Sequence, residues 1–144
     1  MKQTPKVVPH LLVVDDDPIV TMLHKRISMK AGLNSSPQVF MDGQQALDFI
    51  AEHDDEEHHH LVLLDINMPV MDGWEMLEEV NKKNLSCNIK VVMATSSLDA
   101  ADEKRAGQYP CVIGYLTKPI RIESLEALKD HPELEDYMKT LSED

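Results

Sequence analysis

Five short apolar runs, each followed by a stretch with helical periodicity, constrain the fold of this chain more than any other feature. The runs cover residues 10–14, 37–41, 61–64, 89–94 and 111–116. A strand followed by a helix, repeated five times, predicts an α/β fold with a parallel sheet and helices on both of its faces. Runs that are apolar nearly throughout suit strands covered on both sides. The commonest doubly wound arrangement of five such strands has the order 2-1-3-4-5.

The helical stretches carry recognisable start and stop signals. Pro18 suits a first helical turn, and Gly32 ends the first stretch. The apolar residues at helical spacing in that stretch are Ile19, Val20, Leu23 and Ile27. The other four helices are predicted at residues 44–52, 72–80, 98–106 and 120–129.

The chain has the length of one domain, because it contains 144 residues. We place the core at about residues 8–130 and an acidic helical extension at residues 131–144. The extension either packs on the domain, which we favour, or remains a free tail that binds a partner. Since the chain ends soon after the fifth helix, we expect a single-domain protein with no attached output domain.

The charge balance narrows the possible partners. The chain has 14 Lys and Arg residues against 26 Asp and Glu residues, a formal net charge of −12. Such a surface repels phosphates, so we expect no direct nucleic-acid binding. No apolar run approaches the ~20 residues of a membrane-spanning helix, so we expect no membrane insertion. Cys87 and Cys111 form no disulfide framework, which favours a cytoplasmic location.

Residues 52–60 (EHDDEEHHH) form a charged segment before the third strand. Their four histidines allow a metal-site hypothesis. A solvated, charged loop is the simpler interpretation, and we favour it.

Polar side chains follow four of the predicted strands. Carboxyl ends of parallel strands meet at one edge of the sheet, and ligands bind there, near the switch in strand order. We therefore expect one pocket that contains Asp15 and Asp16 after the first strand, Asp65 after the third, Thr95 and Ser96 at the end of the fourth, and Lys118 and Pro119 after the fifth.

The charges of this pocket predict a cation. Three ionised carboxylates and one lysine sum to −2, and two like charges ~4 Å apart repel by about 4 kcal/mol at an effective dielectric of 20. Oxygen-only ligands favour a hard divalent ion, most simply Mg²⁺. Beside such an ion and Lys118, the Asp65 carboxylate is a plausible phosphoryl acceptor. Thr95 is placed to donate a hydrogen bond to the new oxygens, which would make the site a switch.

Four motifs stand in order along the chain: LLVVDDDP (residues 11–18), LLDINMPVMDG (63–73), VVMATSS (91–97) and GYLTKP (114–119). Together they resemble the receiver domains of two-component response regulators, which have a chemotaxis-type, flavodoxin-like (βα)5 fold. The resemblance covers residues 8–128. Departures from the family pattern are the long charged segment at 52–60 and the turn at 108–111, both away from the expected pocket.

The resemblance implies that Asp65 accepts a phosphoryl group from a histidine kinase or a histidine phosphotransfer protein. It implies that Mg²⁺ (or Mn²⁺) is held by Asp15, Asp16, Asp65 and the backbone carbonyl of Asn67. Asn67 and Ser97 would occupy positions that tune hydrolysis of the phosphoryl group.

The resemblance also implies a switch. Thr95 would be the hydroxyl that responds to phosphorylation, and Tyr115 the aromatic side chain that rotates inward with it. A cis peptide bond between Lys118 and Pro119 would aim the lysine into the pocket.

The resulting hypothesis is a signalling protein that catalyses only its own phosphorylation and dephosphorylation. Its output would be a contact between the surface of the fourth helix, fifth strand and fifth helix and an unidentified protein target, with a homodimer possible. A phosphatase on a related sheet is the enzymatic alternative, but it typically needs a second acid two residues after the nucleophile, where this chain has Asn67. A degenerate receiver that acts only as a docking module is the third alternative.

Overall fold

The computed structural model describes residues 6–142 and contains a five-stranded sheet covered by helices on both faces. The elements in chain order are β1 (Val8–Val14), α1 (Pro18–Lys30), β2 (Gln38–Phe40), α2 (Gly43–Glu52), β3 (His58–Leu64), α3 (Gly73–Lys82), β4 (Asn88–Thr95), α4 (Ala100–Ala106), β5 (Val112–Thr117), α5 (Ile122–Leu128), a 3-10 turn (Pro132–Leu134) and α6 (Glu135–Ser142).

All strand pairs are parallel, and their order is β2-β1-β3-β4-β5. The predicted fold class and strand order are therefore confirmed. The order reverses between β1 and β3, so the loops that follow these two strands leave the sheet side by side at its carboxyl edge.

The core lies in two layers because successive side chains of a strand point to opposite faces. One layer packs β-strand residues such as Leu12 and Val62 against α2, α3 and α4. The other packs residues such as Leu11 and Leu61 against α1, α5 and α6. Each central strand therefore buries both of its faces, which explains why its sequence is apolar nearly throughout.

The third strand begins three residues earlier than the sequence suggests. Residues 58–60 belong to β3 rather than to a charged loop, because His58, His59 and His60 pair in register with residues 8–10 of β1. The backbone pairing of the two strands outweighs the loop-like charge pattern.

Helix α1 buries only part of its apolar stripe: Ile27 packs against the core, whereas the start of the stripe is exposed. Ile19 is 72% exposed and Leu23 is 39% exposed. The buried residues are instead Thr21, His24 and Ser28. The Thr21 hydroxyl donates to the Pro18 carbonyl (3.1 Å), whereas Ser28 Oγ finds no hydrogen-bond partner among residues 6–142.

The segment after α5 packs on the domain. Leu134 and Tyr137 are buried in the core layer beside α1 and α5. The Tyr137 hydroxyl donates to the Leu33 carbonyl (2.8 Å) and accepts from the Asn34 side chain (3.1 Å). Across residues 6–142, no helix combines the length and the apolarity that crossing a membrane requires.

Candidate functional site

Three carboxylates meet at the carboxyl edge of the sheet. Asp15 and Asp65 follow β1 and β3, and the Asp65 N–H donates to the Val14 carbonyl (3.0 Å), which extends the pairing of the two strands to these residues. Carboxylate oxygens of Asp15, Asp16 and Asp65 lie within 4.8 Å of one another. Asp15 and Asp65 are buried, whereas Asp16 is exposed, so the cluster opens to solvent on one side.

Lys118 joins this cluster from the loop after β5. Its Nζ lies 2.9 Å from Asp15 Oδ2 and 3.1 Å from Asp65 Oδ2. The Lys118 N–H donates to the Thr95 carbonyl (2.9 Å), which fixes the loop to the end of β4. The Lys118–Pro119 peptide bond is cis. One ammonium group therefore contacts two of the three carboxylates.

The electrostatics of the pocket disfavour three simultaneous negative charges. Burial and the nearby Asp15 carboxylate raise the pKa of Asp65, although Lys118 opposes the shift. Burial alone would lower the pKa of Lys118, but its contacts with Asp15 and Asp65 outweigh that effect and raise it. The lysine remains charged, and one ammonium does not balance three carboxylates.

The donor set fits a magnesium ion. Three carboxylate oxygens close together are ligands that a hard divalent cation prefers, and the exposed Asp16 leaves room for water molecules that Mg²⁺ usually retains. Asn67 is exposed in the loop after Asp65. No rearrangement of the three aspartates is needed to bring their oxygens together.

Among the hydrogen bonds of residues 6–142, the side chains of the two predicted switch residues bond to the backbone of Ser97 and not to the pocket carboxylates. The Thr95 side chain is buried at the end of β4, and its Oγ1 accepts from the Ser97 N–H (3.2 Å). The Tyr115 side chain is half-buried on β5, with its hydroxyl 3.5 Å from the Ser97 carbonyl. Both residues thus contact the same segment after β4.

His24 is a positioning residue that the sequence analysis missed. Its Nε2 accepts from the Ile120 N–H (3.2 Å), so α1 holds the backbone two residues after Lys118. The histidine is buried, and burial lowers its pKa. The signal available in the sequence was the polar series Thr21, His24 and Ser28, whose spacing places all three residues on one helical face.

Gly73 is the second missed residue. A Cβ at this position would lie 2.4 Å from the Asp65 carbonyl oxygen, which no side chain can tolerate. The Gly73 N–H donates to the Ile66 carbonyl (2.8 Å). Glycine therefore lets the start of α3 approach the backbone of Asp65, in addition to the turn that the Asp72-Gly73 pair predicts.

Comparison with known proteins identifies the family. The family model described as the response regulator receiver domain matches residues 11–129. The transcriptional regulatory protein MalR of Bacillus subtilis is 35% identical over 123 residues, which are 85% of this chain and 49% of MalR. The chain thus spans about half the length of that relative. The probable methanogenesis regulatory protein FilR2 of Methanothrix harundinacea is 30% identical over 88% of this chain and 81% of its own length.

A solved structure agrees with these sequence relationships. The CheY-like response regulator receiver domain protein of Methanospirillum hungatei superposes with a TM-score of 0.63 at 28% identity, covering 94% of this chain and 98% of that chain. The family match spans most of the chain, including the aspartates and Lys118. The protein therefore belongs to the response regulator receiver domain family, whose members are signalling proteins rather than enzymes.

Proposed function

We propose that this protein is a phosphorylation-controlled switch in which Asp65 accepts a phosphoryl group from a phosphohistidine of a histidine kinase or phosphotransfer protein. The observation that carries the proposal is the Lys118 ammonium lying between the Asp15 and Asp65 carboxylates, beside the exposed Asp16. Such a group binds the oxygens of an incoming phosphoryl group as readily as it binds carboxylates.

In the proposed transfer, a carboxylate oxygen of Asp65 forms a bond to phosphorus while the bond from phosphorus to the donor imidazole nitrogen breaks. The electron pair of that bond stays on the nitrogen of the donor. The Ile66 N–H donates to Asp65 Oδ1 (2.9 Å) and holds the carboxylate in place. Because only 4% of the Asp65 side chain is exposed, the approach favours a slender phosphoryl donor.

Asp15, Asp16, Asp65 and the Asn67 carbonyl would hold Mg²⁺ or Mn²⁺ in this proposal. The ion, when bound, supplies positive charge that neutralises the phosphoryl oxygens and the surplus carboxylates. Lys118 then neutralises the remaining negative charge as the aspartyl phosphate forms.

We infer that the output is a change on the surface formed by α4, β5 and α5. New phosphoryl oxygens would draw the Thr95 hydroxyl away from the Ser97 N–H, and the Tyr115 side chain would follow the rearranged segment. A shift of a few kcal/mol between two states suffices to expose or hide this surface. Its target would be a cytoplasmic protein or a second copy of the chain.

Phosphorylation by a small donor tests the proposal directly. The protein is incubated with acetyl phosphate and Mg²⁺, and intact-mass measurement follows the gain of one acid-labile phosphoryl group. We expect the Asp65→Asn variant to gain none. The Asp72→Asn variant is the matched control, because it changes the carboxylate seven residues after Asp65, at the N-cap of α3, and should be labelled like the wild type.

Labelling of Asp65→Asn at the level of the wild type would refute Asp65 as the acceptor. Trp74 offers a second readout, since its indole stacks on Tyr109 and lies 4.2 Å below the Arg105 guanidinium of α4. We expect its fluorescence to change with beryllofluoride and Mg²⁺ in the wild type and not in Asp65→Asn.

A further inference from the structure

A cluster of histidines lies at the amino edge of the sheet, at the opposite ends of the strands from the aspartates. The rings of His10 on β1, His58 and His60 on β3 and His53 after α2 surround one another, with Phe49 of α2 against them. The His10 ring is nearly parallel to the rings of His58 and His60, with a centroid distance of 4.9 Å to each. None of these side chains takes part in the proposed phosphoryl transfer.

The closest pair in the cluster has its nitrogens facing each other. His10 Nε2 and His58 Nδ1 are 2.7 Å apart. In the metal-free protein, one ring donates to the other. If that proton moves to the other nitrogen of its ring, both facing nitrogens carry lone pairs. The rings would then have to move apart from 2.7 Å to the roughly 3.3 Å that separates two nitrogens bound to one tetrahedral zinc ion.

A carboxylate lies near His58, on the side of the ring away from His10. His58 Nε2, the nitrogen away from His10, lies 3.7 Å from Asp55 Oδ2. With its proton on Nε2, His58 can point that N–H at the carboxylate and turn the Nδ1 lone pair toward His10. A carboxylate–histidine–metal arrangement of this kind fixes the tautomer and raises the basicity of the ligand.

His53 is oriented in the same manner by a backbone carbonyl. Its Nδ1 lies 2.9 Å from the Phe49 carbonyl, so this nitrogen carries the proton and Nε2 keeps a lone pair. The His53 ring centroid is 5.1 Å from that of His10 and 5.3 Å from that of His58. Within residues 6–142, no three histidine nitrogens lie within 4.8 Å of one another, so His53 can supply the third ligand only if its ring rotates and gives up the contact with the Phe49 carbonyl.

We propose that His10 Nε2, His58 Nδ1 and, after rotation of its ring, His53 Nε2 bind a transition-metal dication such as Zn²⁺, with water completing the shell. Imidazole ligands select this class of ion, whereas the oxygen-only aspartate pocket selects Mg²⁺. The bound ion would join β1, β3 and the end of α2.

The charge around the cluster supports this assignment. The acidic residues of the α2–β3 loop, Asp54 and Asp55 among them, add negative charge that attracts a cation.

Calorimetric titration of the full chain with Zn²⁺, in the presence of saturating Mg²⁺ to occupy the aspartates, tests the proposal. We expect one equivalent to bind the wild type, and His58→Gln to bind at least ~10-fold more weakly. Asp55→Asn keeps all three ligands but loses the carboxylate behind His58, and should weaken binding by roughly 10-fold. His59→Gln is the matched control, because alternation along β3 places His59 on the opposite face of the sheet.

Co²⁺ in place of Zn²⁺ supplies a second readout, the visible absorption bands of a nitrogen-ligated ion, which should appear in the wild type and in His59→Gln but not in His58→Gln. Thermal unfolding without metal shows whether each variant is folded. If His58→Gln is not folded, the Zn²⁺ affinity of Asp55→Asn tests the proposal instead. The proposal is overturned if the wild type binds no Zn²⁺ in excess Mg²⁺, or if His58→Gln and Asp55→Asn bind as tightly as the wild type. It is also overturned if His59→Gln loses binding to the same extent as His58→Gln.

Discussion

Asp65 is the residue at which folding and the proposed function conflict. Burial and Asp15 raise its pKa, so the folded protein resists the charged form that the proposed phosphoryl acceptance requires. A group whose pKa is raised by folding contributes stability below its unfolded pKa and loses it as pH rises through the folded pKa. At neutral pH, the charged Asp65 therefore destabilises the metal-free fold.

This conflict predicts that Asp65→Asn stabilises the protein when Mg²⁺ is absent. The neutral amide removes one of three crowded carboxylates, and we expect a gain on the order of 1 kcal/mol in the free energy of unfolding at pH 7. Mg²⁺ should raise the stability of the wild type far more than that of the variant. Urea unfolding with Mg²⁺ and with a chelator measures both effects. A less stable Asp65→Asn in the chelator contradicts the electrostatic account.

Val70, in the loop between Asp65 and α3, carries backbone strain. Its φ is +67°, and the Met71 N–H donates to the Pro69 carbonyl (2.7 Å) around it. A β-branched residue is poorly suited to this conformation, whereas Asn tolerates it. Because Val70 is 80% exposed, its side chain contributes little packing.

We therefore expect Val70→Asn to stabilise the fold by about 1 kcal/mol in urea unfolding. Leu98→Asn is the control, because Leu98 is 86% exposed and does not have a positive φ. That substitution should change stability by less than about 0.5 kcal/mol. Equal effects of the two substitutions would show that strain at Val70 is not the cause.

At the scale of whole elements, the sequence predicted all five strands and the five helices that follow them, because each hydrophobic pattern depends only on residues close together in the sequence. It also predicted that Asp15, Asp65 and Lys118 meet, since parallel strands bring their carboxyl ends to one edge. Boundaries were less accurate: α4 and α5 each begin two residues later than predicted, at Ala100 and Ile122.

Two features that the sequence did not predict, the start of β3 and the buried face of α1, depend on contacts between residues far apart in the chain. The sequence predicts a charged loop at His58 to His60. These residues instead belong to β3, because they pair with β1, about 50 residues earlier in the chain. The apolar stripe of α1 identified the buried face only in part, because the polar residue His24 is also buried there, where it contacts Ile120, 96 residues later. A single sequence shows periodicity but not which face meets the rest of the molecule.

The link between α1 and the loop after β5 gives a prediction for the helix. His24→Leu fills the same space but leaves the Ile120 N–H buried without an acceptor, which costs about 1–3 kcal/mol. We also expect slower phosphorylation by acetyl phosphate, because the backbone beside Lys118 loses its anchor. Urea unfolding and the initial rate of labelling measure the two effects.

Two further variants separate this role from general damage to α1. His24→Gln keeps an acceptor in its side-chain amide and should recover part of both losses. Lys25→Leu changes the exposed neighbour on the same helix and should leave stability within about 0.5 kcal/mol. If His24→Gln and His24→Leu label equally slowly, the histidine does not act through its hydrogen bond.

In the molecule as a whole, two titrating clusters occupy opposite edges of one sheet and respond to pH with opposite signs. At the carboxyl edge, the raised pKa of Asp65 makes stability fall as pH rises. At the amino edge, the histidine pKa values are lowered, and stability falls as pH drops. The two contributions must be separated before either can be measured.

His60 is one of two histidines that make the second contribution, with His10, and it is buried, with 1% of its surface exposed. Burial lowers its pKa from 6.5 to about 4, with His58 and His53 adding repulsion, so the unfolded chain binds its proton more readily throughout that interval. Stability therefore declines as pH falls from 6.5 towards 4, by up to about 3 kcal/mol for this residue at 1.36 kcal/mol for each pKa unit.

We predict this decline in urea unfolding of the Asp65→Asn variant, which lacks the opposite pH dependence that Asp65 contributes. Adding His60→Leu should make the profile between pH 6.5 and 4 less steep, with the remaining slope due to His10, whereas adding Lys25→Leu should leave it unchanged. An identical slope with and without His60 would assign the acid sensitivity to other groups.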